Sequence, residues 1–305
     1  MTEREQIVVP ATIGNLGSGF DALSAALQLY LRLRIVDVDP AAPDRLVTEF
    51  AGAPPPGGNG IEHAYTLARA RAGVAAPGVR ILVSTEIPIR AGLGSSAAAA
   101  VAGLRLYQSL TGALSEKDML SLGCECEGHP DNAAACLLGG LTISCLHEDG
   151  RVTARSSPWP DRLRFVIATP DTSLATKDAR AVLPQDVPLD DAVFNLQRAL
   201  LLVRALDDER YDDLREAFRD RWHQPARSAL VPGLREALAL DHPAILGVCL
   251  SGSGPSVAAV AAPGHEQEAA RVLGDVYRRL QLAHTIRIVA AHQPASAAVL
   301  PITIH

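Results

Sequence analysis

The chain has 305 residues, more than one hydrophobic core usually organises, so two domains are expected. Apolar residues supply 48% and charged residues 20%, which excludes a disordered chain and fits a globular enzyme. A net charge of −6 and an aromatic content of 4% argue against a nucleic-acid or anionic-membrane partner.

QIVVPA opens the chain as a short strand after the mixed-charge start MTEREQ, which is no secretory signal. Gly14, Gly17 and Gly19 punctuate the loop that follows. LRLRIVDVD alternates charged and apolar residues, the period of a half-exposed strand. The proline- and glycine-rich segment 51–60 reads as a surface loop, followed by a helix over 61–72 and the strand RILVSTEIPI. A helix is expected over 97–110, a second helix starts after Ser115, and GHPDN breaks the pattern before a strand at LTISCL. RSSPWPD marks the domain boundary near 155, giving domains 1–155 and 156–305. Beyond it come the strand LRFVIATP, helices near 190–206, 211–221 and 266–282, and strands at AILGVCL, VAAVAA and TIRIVAA. The second half thus reads as an α+β sandwich. The longest apolar stretch, AAACLLGGLTISCL, is shorter than the roughly 18 residues of a membrane span.

The segment Pro88–Leu104, PIRAGLGSSAAAAVAGL, links a strand to an alanine-rich helix. Gly92 and Gly94 let the backbone turn sharply and approach a ligand, and Ser95 and Ser96 stand where a helix cap belongs. Unpaired N–H groups at a helix start suit a phosphate. Three readings of the loop compete: a packing turn, a dinucleotide fingerprint, and a triphosphate cradle. The fingerprint lacks its acidic residue about 20 positions on, because TGALSEKDML starts a helix there. No G-x-x-x-x-G-K-[ST] occurs, so a P-loop NTPase is excluded. Lys117 and Lys177 are the only lysines, which limits any lysine chemistry to two positions. Five cysteines form no disulfide framework, and the C-x-C-x-x-H of Cys124, Cys126 and His129 lacks the spacing and fourth ligand of a zinc site. A reduced, cytoplasmic setting follows as an expectation.

Four segments appear in order: VPATIGNLGSGFDAL, PIRAGLGSSAA, EGHPDNAAACLLGG and SGSGPS. Together they resemble the GHMP small-molecule kinases, over nearly the whole chain. TKDAR (Thr176–Arg180) and HQPAR (His223–Arg227) narrow the resemblance to the homoserine kinase family. It implies an α+β, two-domain fold: an N-terminal ribosomal-protein-S5-like domain with a left-handed β-α-β unit, and a C-terminal ferredoxin-like α/β sandwich. It also implies ATP as phosphoryl donor, Mg²⁺, L-homoserine as acceptor and threonine biosynthesis as the setting, with a homodimer as the family expectation.

By the same resemblance the cradle would hold ATP through Pro88, Ile89, Arg90, Ala91, Gly92, Leu93, Gly94, Ser95, Ser96, Ala97 and Ala98, with Ser253 completing the site. Ser96 and Glu125 would bind the metal, with Glu127 competing for Glu125's role. Arginine forks suit an α-carboxylate, and Arg180 and Arg227 match the substrate arginines. Asn15 and Asp21 would take the α-ammonium, while Asn132, Asp131 and His129 would lie near the substrate hydroxyl. Thr176 and Lys177 would position a loop or a phosphate, and His223 reads as a loop histidine without chemistry. Asn132 cannot serve as a base, so transfer by proximity and charge stabilisation is expected, with Asp131 as the alternative base. Rival readings are another GHMP kinase acting on L-threonine, shikimate or mevalonate, a ligand sensor without turnover, and a nicotinamide oxidoreductase. Ile13, Gly14, Ser18 and Ala133 stand where the family more often has serine, alanine, proline and valine.

Overall fold

A computed structural model describes residues 6–56 and 58–294. The expected reading of MTEREQ and the outer ends of both expected domains lie partly outside these residues. In chain order the first part contains β1 (Gln6–Gly14), β2 (Leu23–Asp39), β3 (Leu46–Phe50), α1 (Gly60–Ala72), β4 (Gly78–Thr85) and α2 (Ser95–Thr111). It continues with α3 (Glu116–Glu127), α4 (Asp131–Leu138), β5 (Leu141–Leu146) and β6 (Val152–Ser157). The second part runs through β7 (Arg164–Pro170), α5 (Thr176–Ala181), α6 (Leu189–Asp207), α7 (Leu214–Ala217), α8 (His223–Arg227) and α9 (Leu234–Leu238). It closes with β8 (Ile245–Leu250), β9 (Val257–Ala261), α10 (Glu266–Arg279) and β10 (His284–Val289).

Six strands make the first sheet, ordered β3-β4-β2-β5-β6 with β1 also paired to β2. The 17-residue β2 is its organiser: β1 lies along residues 24–34, β4 along 31–39 and β5 along 23–25. β3 and β4 are parallel with α1 as their crossover, a β-α-β unit. Asn59 caps α1 by accepting from the Ile61 N–H at 3.1 Å, and Ser115 and Asp118 form a reciprocal capping box on α3.

The second sheet, ordered β10-β7-β9-β8, is wholly antiparallel in its pairings. Numbered within this half, that is 4-1-3-2 with helices after the first and third strands, the ferredoxin-like arrangement. Its runs RFVIATP and VAAVA lack polar alternation because both faces are covered. Phe165, Ile167, Ala258 and Val260 join the core that extends into the first part, whereas Val166, Ala168, Val257 and Ala259 pack with α9 and α10. The expected boundary at 155 falls inside β6, which stays paired to β5 through Ser157, so the strand-free link between the sheets is 158–163. The chain also returns. Gln28 donates to the Ala290 carbonyl and the His292 N–H to that of Ala26, both at 2.9 Å.

Three local expectations change. Helix 211–221 is a 3-10 turn at Tyr211–Asp213 and one turn of α-helix ending at Ala217. GHPDN is not loop throughout, because Asp131 and Asn132 open α4. Ser95 and Ser96 are the first helical residues of α2, not its cap; Gly94 occupies that position at φ 69° with no side-chain cap bond. No helix among the described residues is long and apolar enough to cross a membrane.

Candidate active site

Between the two parts lies a cavity of about 290 Å³, reached from both by loops and helix starts. One end is the phosphate loop. Gly92 and Gly94 have φ of 77° and 69°, in the left-handed region that favours glycine. A Cβ on Gly92 would lie 2.4 Å from the Ser251 carbonyl oxygen, and one on Gly94 would lie 2.0 Å from Thr12 Oγ1. The loop is therefore pressed between β1 and the SGSGPS turn. Ser251 Oγ donates to the Gly92 carbonyl at 2.7 Å, and the Ser256 N–H to that of Ala91 at 3.2 Å.

Of the expected loop residues, Arg90, Gly92, Gly94, Ser95, Ser96 and Ser253 line this cavity. Ile89 lines a neighbouring one, while Pro88, Ala91, Leu93, Ala97 and Ala98 line neither. Ala97 and Ala98 are fully buried in the core, and the Ala98 N–H is already spent on the Gly94 carbonyl at 2.9 Å. The helix thus presents the N–H groups of its first three residues, not of Ala98.

The structure separates the two candidate glutamates. Glu125 points to α1, paired with Arg71 at 2.7 Å, and does not reach the cavity. Glu127 lines it and accepts from Ser96 Oγ at 2.6 Å. Burial pushes the Glu127 carboxyl above its usual range, with the Ser96 hydrogen bond working against the shift. A partly buried carboxylate beside a hydroxyl, bonded to no cationic side chain among the described residues, is a hard-oxygen pair suited to Mg²⁺.

At the other end five separate segments converge. Arg227, 2% exposed, donates to the carbonyls of Ala179 at 3.1 Å and Gly252 at 3.3 Å. Burial first, then the neighbouring Arg180, pulls its guanidinium down to about 10, still cationic at neutral pH. Arg180 donates to Asp21 at 2.7 Å, and the Asp21 N–H donates to Asn15 Oδ1 at 2.9 Å. Asn15 Nδ2 in turn holds the Gly252 carbonyl at 3.0 Å. The Asp21 and Asp131 carboxylates and the His129 ring converge within 4.8 Å. Asp131, 1% exposed, bonds His129 Nδ1 at 2.6 Å and Asn132 Nδ2 at 3.3 Å. Burial opposes charge on His129, but the bond and charge of Asp131 outweigh it and raise its pKa. Thr176 sits near Ser253, Oγ1 to Oγ 3.4 Å, whereas Lys177 does not line the cavity.

Two residues at this end were not foreseen, and a third was given no role. Thr12, fully buried on β1, donates its hydroxyl to Asn132 Oδ1 at 2.6 Å and its N–H to the Leu93 carbonyl at 3.1 Å. It joins the phosphate loop to Asn132 and fixes which way that amide faces. Phe20 lies under both guanidinium groups, 5.5 Å from Arg180 and 5.3 Å from Arg227. His223 is not an idle loop histidine. Arg227 has donors only, so His223 Nδ1 must accept from it at 3.0 Å while Nε2–H donates to the Gly17 carbonyl at 2.7 Å. Burial, assisted by Arg227 and opposed by Asp220, keeps this ring neutral.

A second, larger cavity of about 750 Å³ shares Arg90, Ser95 and Ser96 with the first. Its walls are mostly apolar, including Phe50, Ile61, Ile87 and Ile89, with Asn59 and His63 among them. Residues 51–56 and 58–60 of the segment read as a plain surface loop form one side. No short motif marks it.

The family model described as GHMP kinases N terminal domain matches residues 59–140, and that of GHMP kinases C terminal matches 202–279. The homoserine kinase of Thermus thermophilus is 40% identical over 271 residues, 88% of this chain and 90% of that one. That of Deinococcus radiodurans is 42% identical over 250 residues, 81% of each chain. This chain belongs to the homoserine kinase family of the GHMP kinases. Among solved structures, homoserine kinase from Cytophaga hutchinsonii superposes with a TM-score of 0.80 at 27% identity, covering 96% of this GHMP kinase and 97% of that chain. A Methanococcus jannaschii mevalonate kinase, at 14% identity and TM-score 0.67 over 95% and 99% of the chains, shares the fold.

Proposed function

We propose that this kinase transfers the γ-phosphoryl group of ATP to the hydroxyl of L-homoserine, giving O-phospho-L-homoserine for threonine biosynthesis. The observation that carries the reading is the meeting, in one cavity, of a helix-start phosphate loop with two arginines and two carboxylates spaced for a zwitterion. The apolar cavity behind Arg90 and Ser95 suits the nucleoside, leaving the triphosphate to the loop. Arg180 and Arg227 take the α-carboxylate, and Asp21 takes the α-ammonium. The substrate's two charges thereby enter an existing Asp21–Arg180 ion pair, each meeting its opposite. Asn132, held by Thr12, orients the hydroxyl.

Mg²⁺ fits Ser96 and Glu127 and, when bound, supplies charge neutralisation on the phosphate oxygens. This chain's own residues do the positioning. Asp131 is occupied by His129 and Asn132, which supports a reaction without a protein base, the hydroxyl proton passing to a phosphoryl oxygen. The guanidinium of Arg227 balances negative charge as it develops, and Asp131 favours a proton on His129 beside it. The five free thiols suit a reduced cytoplasm.

Coupled ADP release tests the reading, with homoserine, threonine, mevalonate and shikimate each offered with and without Mg²⁺. Homoserine-dependent, Mg²⁺-dependent turnover is expected. No homoserine-dependent ADP release overturns it. Within that assay, Asp131→Asn retaining most of kcat while Arg227→Ala loses it supports transfer without a base.

A further inference from the structure

The buried arginine of the proposed acceptor pocket, Arg227, rides on α8, a helix of five residues and too short to hold its shape by itself. Asp220 supplies support from outside the helix. Its carboxylate is wholly buried, and its bonded partners are all donors: the Trp222 N–H at 2.9 Å, the Gln224 N–H at 2.7 Å and Asn195 Nδ2 at 2.6 Å. The first two are N–H groups at the start of α8, where the N-cap residue Trp222 makes no side-chain cap bond of its own. Asn195, buried on α6, also accepts the Arg221 N–H at 3.0 Å, so both ends of its amide are spent on this segment. Gln224 Oε1 accepts the Leu250 N–H at 2.7 Å and ties α8 to the end of β8.

Capping alone does not call for a buried charge, since a neutral side-chain oxygen can also accept from a helix start. The charge of Asp220 has its counterpart one ring away. His223 lies between Asp220 and Arg227: its Nε2 is 3.7 Å from Asp220 Oδ2, and its Nδ1 accepts from Arg227 Nη1 at 3.0 Å. Through Nε and Nη1, Arg227 meets neutral acceptors, the carbonyls of Ala179 and Gly252 and the His223 ring. Its Nη2 is bonded to no group among the described residues, and Arg227 lines the cavity. Arg180 is arranged the other way, with Asp21 directly on its Nη2. A carboxylate seated on Arg227 in that fashion would compete with the carboxylate of an acceptor. One placed beyond a neutral imidazole balances the buried guanidinium and leaves Nη2 open. Of the carboxylates that favour charge on Arg227, Asp21 and Asp131 line the cavity and Asp220 does not. Resting on the acceptor reading above, we infer that Asp220 is the positioning residue of Arg227, orienting it through α8 and His223 and balancing its charge from outside the cavity.

Steady-state ADP release by the full chain, with homoserine and ATP varied in turn, provides the test. Asp220→Asn keeps the volume, removes the charge and turns one acceptor into a donor that faces donors. It should raise KM for homoserine by about thirtyfold and leave KM for ATP within about twofold. Introduced into Arg227→Ala protein, it should lower kcat/KM by less than about twofold further, because the residue it positions is already gone. Asn195→Ala leaves both cap bonds in place and should raise KM for homoserine by about threefold. It carries the same test if circular dichroism shows that Asp220→Asn does not fold. An unchanged homoserine KM, equal rises in both KM values, or losses that add in full in the Arg227→Ala background overturn the inference alone. A wild-type protein that releases no ADP with homoserine overturns the acceptor reading and this inference with it.

Discussion

The phosphate loop and the acceptor pocket share one cavity but are made of different materials. The loop works through backbone N–H groups, glycines at positive φ and the start of α2, with Ser96 and Glu127 as its polar side chains. The proposed acceptor pocket is built from buried and half-buried charged side chains drawn from four segments, each held by another. A backbone cradle tolerates changes of side chain but not the addition of a Cβ. A pocket of paired charges tolerates truncation poorly, because removing a buried side chain strands its partner.

The largest effect is expected at the acceptor end. Arg227→Ala should lower kcat/KM for homoserine by about a thousandfold, the loss of a desolvated carboxylate clamp, with KM for ATP little changed. Arg227→Lys keeps the charge without the fork and should recover less than a tenth of the loss, as steady-state kinetics will show. Gly94→Ala attacks the donor end, driving a Cβ into Thr12 at a left-handed φ, and should cost about a hundredfold in kcat/KM for ATP. If instead it moved the homoserine KM alone, the division between the two ends would fail.

Glu127→Gln should cost about a hundredfold in kcat and raise the Mg²⁺ concentration needed for half-maximal rate, while Glu125→Gln stays within twofold. Thr12→Val should lower kcat by about tenfold, with recovery in Thr12→Ser, since only the hydroxyl that orients Asn132 is removed. The smallest effect separates two histidines by sign in a series of Tm against pH. The folded pKa of His223 is depressed, so the unfolded chain binds its proton more tightly and stability falls as pH drops below about 6.5. That of His129 is raised, so its contribution is full below about 6.5 and is lost as pH climbs through the raised value. His223→Gln should flatten the acid limb of the profile, and His129→Gln the alkaline one.

The donor end was legible because its information is contiguous: the glycines and serines that shape the loop follow one another in the chain. The acceptor end was legible only through motifs, since nothing in the spacing of Asp21, Asp131, Arg180 and Arg227 says that they meet. Glu125 and Glu127 could not be told apart in the sequence because helical phase decides between neighbours. Two residues along a helix turn the side chain by about 200°, sending Glu125 to Arg71 and Glu127 to Ser96. Thr12 was hidden in an apolar strand, and Phe20 reads as any core aromatic until two guanidinium groups lie over it. The two layers of the second sheet were visible as apolar runs, but not their 4-1-3-2 order, which depends on pairings far apart in the chain.

Residues 290–292 lie against β2, and the turn at 251–256 braces the phosphate loop. During synthesis every residue of the donor loop has left the ribosome long before either support exists. A nascent chain halted after β6 holds the loop's sequence but neither its brace nor the last pairing of its sheet. The donor loop thus depends for its support on segments that lie far behind it in the order of synthesis.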